Sequence, residues 1–189
     1  MTYHTEPKIL LDAAGVDEAL SRLAAEILDR GKAEDLVLVG IRRRGVELAE
    51  RLAGLVEERS GRRIERGSLD ITLYRDDFAQ IGSRPLIGTT EIPVDLTDRR
   101  VVIVDDVLYT GRTIRAALNE IADFGRPSRI ELCVLIDRGG RELPIQADYV
   151  GLEHPAAVGE EVEVRVPELD DESCARVVDR ADPSAGQAE

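Results

Sequence analysis

In Val101-Val102-Ile103-Val104-Asp105-Asp106-Val107-Leu108-Tyr109-Thr110-Gly111-Arg112-Thr113, four consecutive β-branched residues run straight into two adjacent carboxylates. The run 101–104 is the strongest strand signal in the chain. A turn rich in hydroxyls follows, then a helix over 112–124 with Ile114, Ala117, Leu118 and Ile121 facing inward. Upstream, Leu36-Val37-Leu38-Val39 is another short apolar run, stopped by Gly40. Residues 46–59 are helical, with Val46, Ala49, Leu52, Ala53 and Val56 on one face and Gly61 closing the end. An earlier helix spans 12–30, with Gly31 as its C-cap, and 68–74 reads as a strand. Downstream, 130–136 is a buried strand, and 147–150 and 161–166 are shorter candidates. Strands with continuous apolar runs alternating with helices predict an α/β fold with a largely parallel sheet flanked by helices. Residues 75–93 hold Gly82, Ser83, Pro85, Gly88 and Pro93 without periodicity and read as a long loop or a flexible hairpin, a length usually tied to function.

Ligands of such sheets sit beyond the carboxyl ends of the strands. There, a helix N-terminus offers unpaired N–H groups and a positive dipole end, which bind phosphate. Gly111 permits close approach of the backbone to an anion, and Thr110 and Thr113 add hydroxyls. Two adjacent acids cannot both be buried without cost, so Asp105 and Asp106 must meet a cation or a set of hydroxyls. A ribose phosphate satisfies both ends of the segment. The alternative is that the acids cap the helix and Thr-Gly is an ordinary turn. A phosphorelay receiver domain also places acids at strand ends, but it needs a downstream lysine, and none follows Lys32. In Gly40-Ile41-Arg42-Arg43-Arg44-Gly45, three arginines between glycines repel one another unless they are solvated or share an anion.

The chain has 189 residues and a formal charge of −13, with only two lysines among 25 basic groups. At that length one domain buries roughly 70% of its unfolded surface. Residues 151–189 carry −8 of the charge, leaving −5 for the first 150. That balance is a poor footprint for general nucleic-acid binding. Two cysteines, Cys133 and Cys174, form no disulfide framework or zinc pattern, and two histidines exclude a histidine-rich metal site. No apolar run reaches the ~18 residues of a membrane span and no signal-peptide pattern opens the chain, so a cytoplasmic protein without membrane partners is expected. The expected organisation is one domain over 8–166 and an acidic C-terminal tail over 167–189, frayed from Ala181 onward.

The segment 101–113 resembles the phosphoribosyl-pyrophosphate (PRPP) signature of type I phosphoribosyltransferases. Asp70-Ile71-Thr72-Leu73-Tyr74-Arg75-Asp76-Asp77, Gly125-Arg126-Pro127, Asp137-Arg138-Gly139 and Arg141-Glu142-Leu143-Pro144-Ile145 narrow the likeness to the PyrR family of pyrimidine-operon regulators and uracil phosphoribosyltransferases. The resemblance implies the type I fold with a small hood and a flexible loop. It implies a Mg²⁺-dependent glycosyltransferase joining uracil to PRPP, giving UMP and diphosphate. It also implies a homodimer or higher oligomer. Asp105 and Asp106 would be catalytic and would hold the ribose hydroxyls, directly or through Mg²⁺. Val107, Leu108, Tyr109, Thr110, Gly111, Arg112 and Thr113 would bind the nucleotide phosphate. Arg43 and Arg44 would receive the diphosphate, with Arg84 reaching it from the loop as a lid. Arg138 and the peptide near Val162 would hold the base. Purine-specific relatives carry an acid where this chain has Tyr109, which favours a pyrimidine. Leader RNA of the pyrimidine operon is a further expected partner, through Ser21, Arg22, Arg30 and Arg141. Several basic positions of the family's RNA face are altered here: Gly140 stands where histidine is usual, and 152–159 lacks the usual basic residues. The alternatives are therefore an enzyme, or a nucleotide sensor, that has lost RNA regulation.

Overall fold

Strands buried on both faces read as unbroken apolar runs, and the sheet they build is parallel. The protein is described by a computed structural model covering residues 7–71, 89–157 and 159–179. The chain runs β1 (Lys8–Leu11), α1 (Ala13–Asp29), β2 (Leu36–Ile41), α2 (Arg44–Ser60), β3 (Glu65–Leu69), β4 (Arg100–Leu108) and α3 (Arg112–Ile121). It continues through β5 (Arg129–Asp137), β6 (Tyr149–Glu153), β7 (Glu160–Arg165), the one-turn helix α4 (Pro167–Asp170) and β8 (Cys174–Asp179). Five strands pair in parallel in the order β3-β2-β4-β5-β6. A second, antiparallel sheet has the order β1-β8-β7.

Alternation along β2 assigns the two cores. Leu36 and Leu38 pack with α1 and α2, whereas Val37, Val39 and Ile41 pack beneath α3. Val162, Val164, Val166 and Ala175 of the small sheet join the first core, so this hood is continuous with the α1/α2 side. Asp12 caps α1 by accepting the Gly15 N–H at 2.8 Å, and Gly61, at φ +67°, closes α2.

Several elements differ from the sequence expectations. The strand expected to stop at Gly40 continues to Ile41, because Gly40 keeps its ladder positions opposite Ser68 and Val104. Arg30, not Gly31, caps α1. β4 does not end at Val104 but runs through both acids to Leu108. The helix expected over 112–124 ends at Ile121 and finishes in a 3-10 turn. The strand expected over 68–74 is β3, Glu65–Leu69; residues 72–88, including Arg84 and most of the expected lid, lie outside the described residues. β6 starts two residues later than expected and extends to Glu153. Residues 167–179, which their acidic composition assigns to a tail, form α4 and β8, and β8 is the central strand of the hood. Its pairing partner β1 has no counterpart in the sequence reading, being four residues with no period to detect.

At the far end of the sheet from these loops lies a buried polar cluster. Arg100 donates to Glu131 Oε2 (2.6 Å), to the Tyr149 hydroxyl (2.7 Å) and to the carbonyl of Ile27 (2.9 Å). Tyr149 in turn donates to Glu131 Oε1 at 3.2 Å. The starts of β4, β5 and β6 are thereby tied to the last turn of α1.

Candidate active site

Two glycines bring the start of α2 onto β4. A Cβ at Gly40 would lie 2.5 Å from the Gly45 carbonyl oxygen, and one at Gly45 would lie 2.5 Å from that of Val104. Only hydrogen at both positions allows this approach. It sets Arg44, the first residue of α2, beside the acids of β4. The loop is also tied sideways, the Arg42 N–H donating to the Leu69 carbonyl at 2.9 Å.

The acid pair is not held by simple alternation. Val102 and Val104 face the α1/α2 core, and so does Val107, so the side-chain period slips by one residue across Asp105 and Asp106. Each carboxylate takes up a neighbouring N–H: Asp105 Oδ1 accepts from Asp106 N at 3.0 Å, and Asp106 Oδ1 from Val107 N at 2.9 Å. Asp105 is buried, at 6% exposure, while Asp106 is half-buried and lines a cavity of about 410 Å³ with Arg44, Glu161 and Val162.

After β4 the chain turns through Tyr109 and Thr110 to Gly111, whose φ of +92° starts α3 with no side-chain cap. The Arg112 N–H donates to the Thr110 hydroxyl at 3.3 Å, and a helix start at the carboxyl end of the sheet is the arrangement that binds phosphate. The segment 138–145 fixes this turn. Arg138 N donates to the Leu108 carbonyl at 3.1 Å, and Glu142 N and Leu143 N to that of Thr110 at 3.0 and 3.1 Å. Arg112 points outward in an exposed ion pair with Glu142. Thr113 is half-buried in the first turn of α3.

Arg138 and Tyr109 form the wall of a second cavity of about 380 Å³, which reaches Ala156, Gly159 and Glu161. Arg138 also donates to the Glu160 carbonyl at 3.0 Å. The two cavities share Glu161, so β7 borders both, and Val162 lines the one containing Asp106. The expected residues Arg44, Asp106, Val107 and Val162 thus line one cavity, and Tyr109 and Arg138 line its neighbour across Glu161. Arg43 is exposed, and Leu108 is buried beneath the turn.

Arg44 holds Asp170 through two bonds, Nε to Oδ2 at 3.0 Å and Nη2 to Oδ1 at 2.9 Å. That pairing holds the Asp170 carboxyl below the usual range and raises the Arg44 guanidinium further. Sequence reasoning missed Asp170, which no local signal connects to residue 44. None of the four RNA candidates lines either cavity. Ser21 accepts from Arg59 at 2.7 Å, and Arg22 pairs with Glu26 and donates to the Gly151 carbonyl at 2.5 Å. Arg30 stacks over Tyr149 at 4.7 Å. Arg141 is turned inward onto Asp137 and the carbonyls of Tyr109 and Ile145.

A parallel sheet with an acid pair, an uncapped helix start and a hood over the strand ends defines a phosphoribosyltransferase fold. The phosphoribosyl transferase domain family matches residues 8–171. The structure is similar to the hypoxanthine phosphoribosyltransferase of Trypanosoma cruzi, with a TM-score of 0.69, 21% identity, and coverage of 91% of this chain and 96% of that one. In sequence the chain is 53% identical over 174 residues to the bifunctional protein PyrR of Pelotomaculum thermopropionicum, covering 92% of this chain and 96% of that protein. It is 51% identical over 180 residues to that of Deinococcus radiodurans, covering 94% and 98%. The chain belongs to the phosphoribosyltransferase family and, within it, to the PyrR proteins. No helix among the described residues is long and apolar enough to cross a membrane.

Proposed function

We propose that the protein transfers a phosphoribosyl group from PRPP to uracil, giving UMP and diphosphate. The observation that carries this reading is the run of β4 through Asp105 and Asp106 into a helix started by Gly111, with Asp106 and Arg44 lining one cavity. In this reading the first-turn N–H groups and the hydroxyls of Thr110 and Thr113 bind the 5′-phosphate. Asp105 and Asp106 hold the ribose hydroxyls and stabilise the positive charge that develops on the sugar as the bond to diphosphate breaks. Arg43 and Arg44 receive the diphosphate. Arg138 and the backbone near Val162 orient uracil, and the wall at Tyr109 offers no carboxylate to a purine.

The oxygen donors of Asp105 and Asp106 suit Mg²⁺. Among the described residues no cluster of three metal-ligating side chains exists, so substrate oxygens and water would complete the ion's shell. When bound there it would neutralise charge on the diphosphate. Assaying labelled uracil with PRPP and Mg²⁺ tests the reading: UMP and diphosphate are expected in equal amounts, and a preference for hypoxanthine would overturn it.

A second activity, UMP-dependent binding of pyrimidine-operon leader RNA, fits the bifunctional relatives. Ser21, Arg22 and Arg30 lie on or beside α1, but Arg22 and Arg141 are engaged by the protein itself, and the chain carries −13. An RNA face with fewer cations to meet phosphates binds more weakly and with a shallower salt dependence. RNA binding is therefore expected to be weaker than is typical of the family, with uracil phosphoribosyl transfer intact. Filter binding at two salt concentrations, with and without UMP, tests it, and tight UMP-stimulated binding at physiological salt would refute the weakening. Light scattering on the same preparation tests the expected homodimer or higher oligomer.

A further inference from the structure

Asp170 lies 126 residues from Arg44 in sequence, on the one-turn helix that follows β7, yet it takes both sides of the arginine's fork. Its own carboxylate is fixed from behind, Oδ2 accepting the Val166 N–H at 3.0 Å, while its backbone N–H donates to the Val166 carbonyl at 2.8 Å. Arg44 is equally constrained at its backbone, since Gly45 presses the start of α2 onto Val104. Two anchored groups joined by a planar two-bond contact leave the guanidinium one orientation. Its remaining N–H groups have no acceptor among the described residues, and Arg44 borders the cavity that contains Asp106.

Asp106 and Glu163 also attract this cation. Without Asp170, the flexible arginine would turn toward the acids of the cavity and cover the carboxylate needed for the sugar. We propose that Asp170 is a positioning residue for Arg44: it holds the guanidinium off Asp106, with its free N–H edge turned to the incoming diphosphate. The proposal rests on the phosphoribosyl-transfer reading above. It also makes α4 part of the working site.

The test is a double-mutant cycle on the full chain with Asp170→Asn, Arg44→Met and the pair, read by steady-state kinetics and by calorimetric titration with Mg²⁺-diphosphate. Asp170→Asn is expected to raise the KM for PRPP and the diphosphate Kd about tenfold or more, as removal of a charge-assisted hydrogen bond does, with the KM for uracil changed less than about twofold. In the Arg44→Met background it should add nothing, since the effect passes through that side chain. Asp170→Glu should restore part of the affinity. Multiplying effects of the two substitutions, or an Asp170→Asn protein altered only in melting temperature, would overturn the proposal. If Asp170→Asn fails to fold, Asp170→Glu against Arg44→Met decides by the same titration. A parent chain that binds diphosphate but does not turn over uracil would refute the transferase reading while the titration still judges Asp170.

Discussion

The Arg138 guanidinium lies 3.9 Å over the centre of the Tyr109 ring, and the pair forms one flat side of the cavity beside β7. Such stacking is worth roughly 0.5–2 kcal/mol and fixes the plane of both groups. The ring rests on Gly140, whose φ is +75° and whose missing Cβ would lie 2.5 Å from Tyr109 Cε2.

Gly140→Ala is therefore expected to push Tyr109 aside and unstack Arg138. Because the ring is the far end of a side chain, the fold should survive with a loss of about 1 kcal/mol. The KM for uracil should rise several-fold and that for PRPP should not, and steady-state kinetics with each substrate varied in turn checks it. Unchanged uracil kinetics would remove the stacked pair from the base site.

Asp105→Asn and Asp106→Asn keep the shape of the acid pair and remove its charge. Each is expected to lower kcat by about 10²–10³, the usual cost of losing one preorganised electrostatic group. Melting temperatures within a few degrees of the parent would show that the loss is chemical. Near-normal turnover in both variants would refute the assignment.

At the other end of β4, removing one member of the Arg100–Glu131 pair leaves an uncompensated buried charge. Glu131→Ala should cost about 3–5 kcal/mol in urea denaturation, whereas Arg100→Met with Glu131→Leu together should cost much less. Turnover per folded molecule should be unchanged in the double variant, since residue 100 lies about 16 Å along the strand from residue 105. Equal losses in the single and double variants would contradict this account.

Glu120 of α3 is buried at 6% exposure; Thr90 donates to its Oε1, and its other oxygen has no partner among the described residues. Burial raises its carboxyl pKa, with the nearby acids Asp70 and Asp123 adding to the shift. A raised acid in the folded state means that the folded form binds more protons, so its contribution to stability falls as pH rises above the unfolded value of about 4.3. Glu120→Gln keeps an acceptor for Thr90 and removes the charge. Its stability relative to the parent should improve between pH 4.5 and 7.5, read by urea denaturation at both, and a constant difference would refute the shift.

The parallel sheet is legible because strands buried on both faces are unbroken apolar runs, and the segment 101–113 points to a candidate site at its carboxyl end. The acids looked like the end of a strand because a carboxylate interrupts an apolar run. The ladder instead continues beneath them, with each neighbouring N–H taken by an aspartate. Cys174-Ala175-Arg176-Val177-Val178 was hidden by the acidic average around it, and its partner β1 by brevity. Arg44 was found as a cation between glycines. Its orientation was not, because Asp170 reaches it only through the hood. Arg141 was read by charge alone, and its inward course depends on carbonyls that come within reach only after the 138–145 segment folds back.

The pairing of Lys8 with Val177 sets an order on synthesis. β2 to β6 can assemble while the ribosome is still adding residues, but β1 must wait for β8, the strand between it and β7. A nascent chain thus carries a finished parallel sheet whose upper end is still open. The three-stranded hood is complete only once β8 has been made. Pairings so distant in sequence form slowly, so a premature stop before residue 174 would leave a protein with its central sheet intact and its site uncovered.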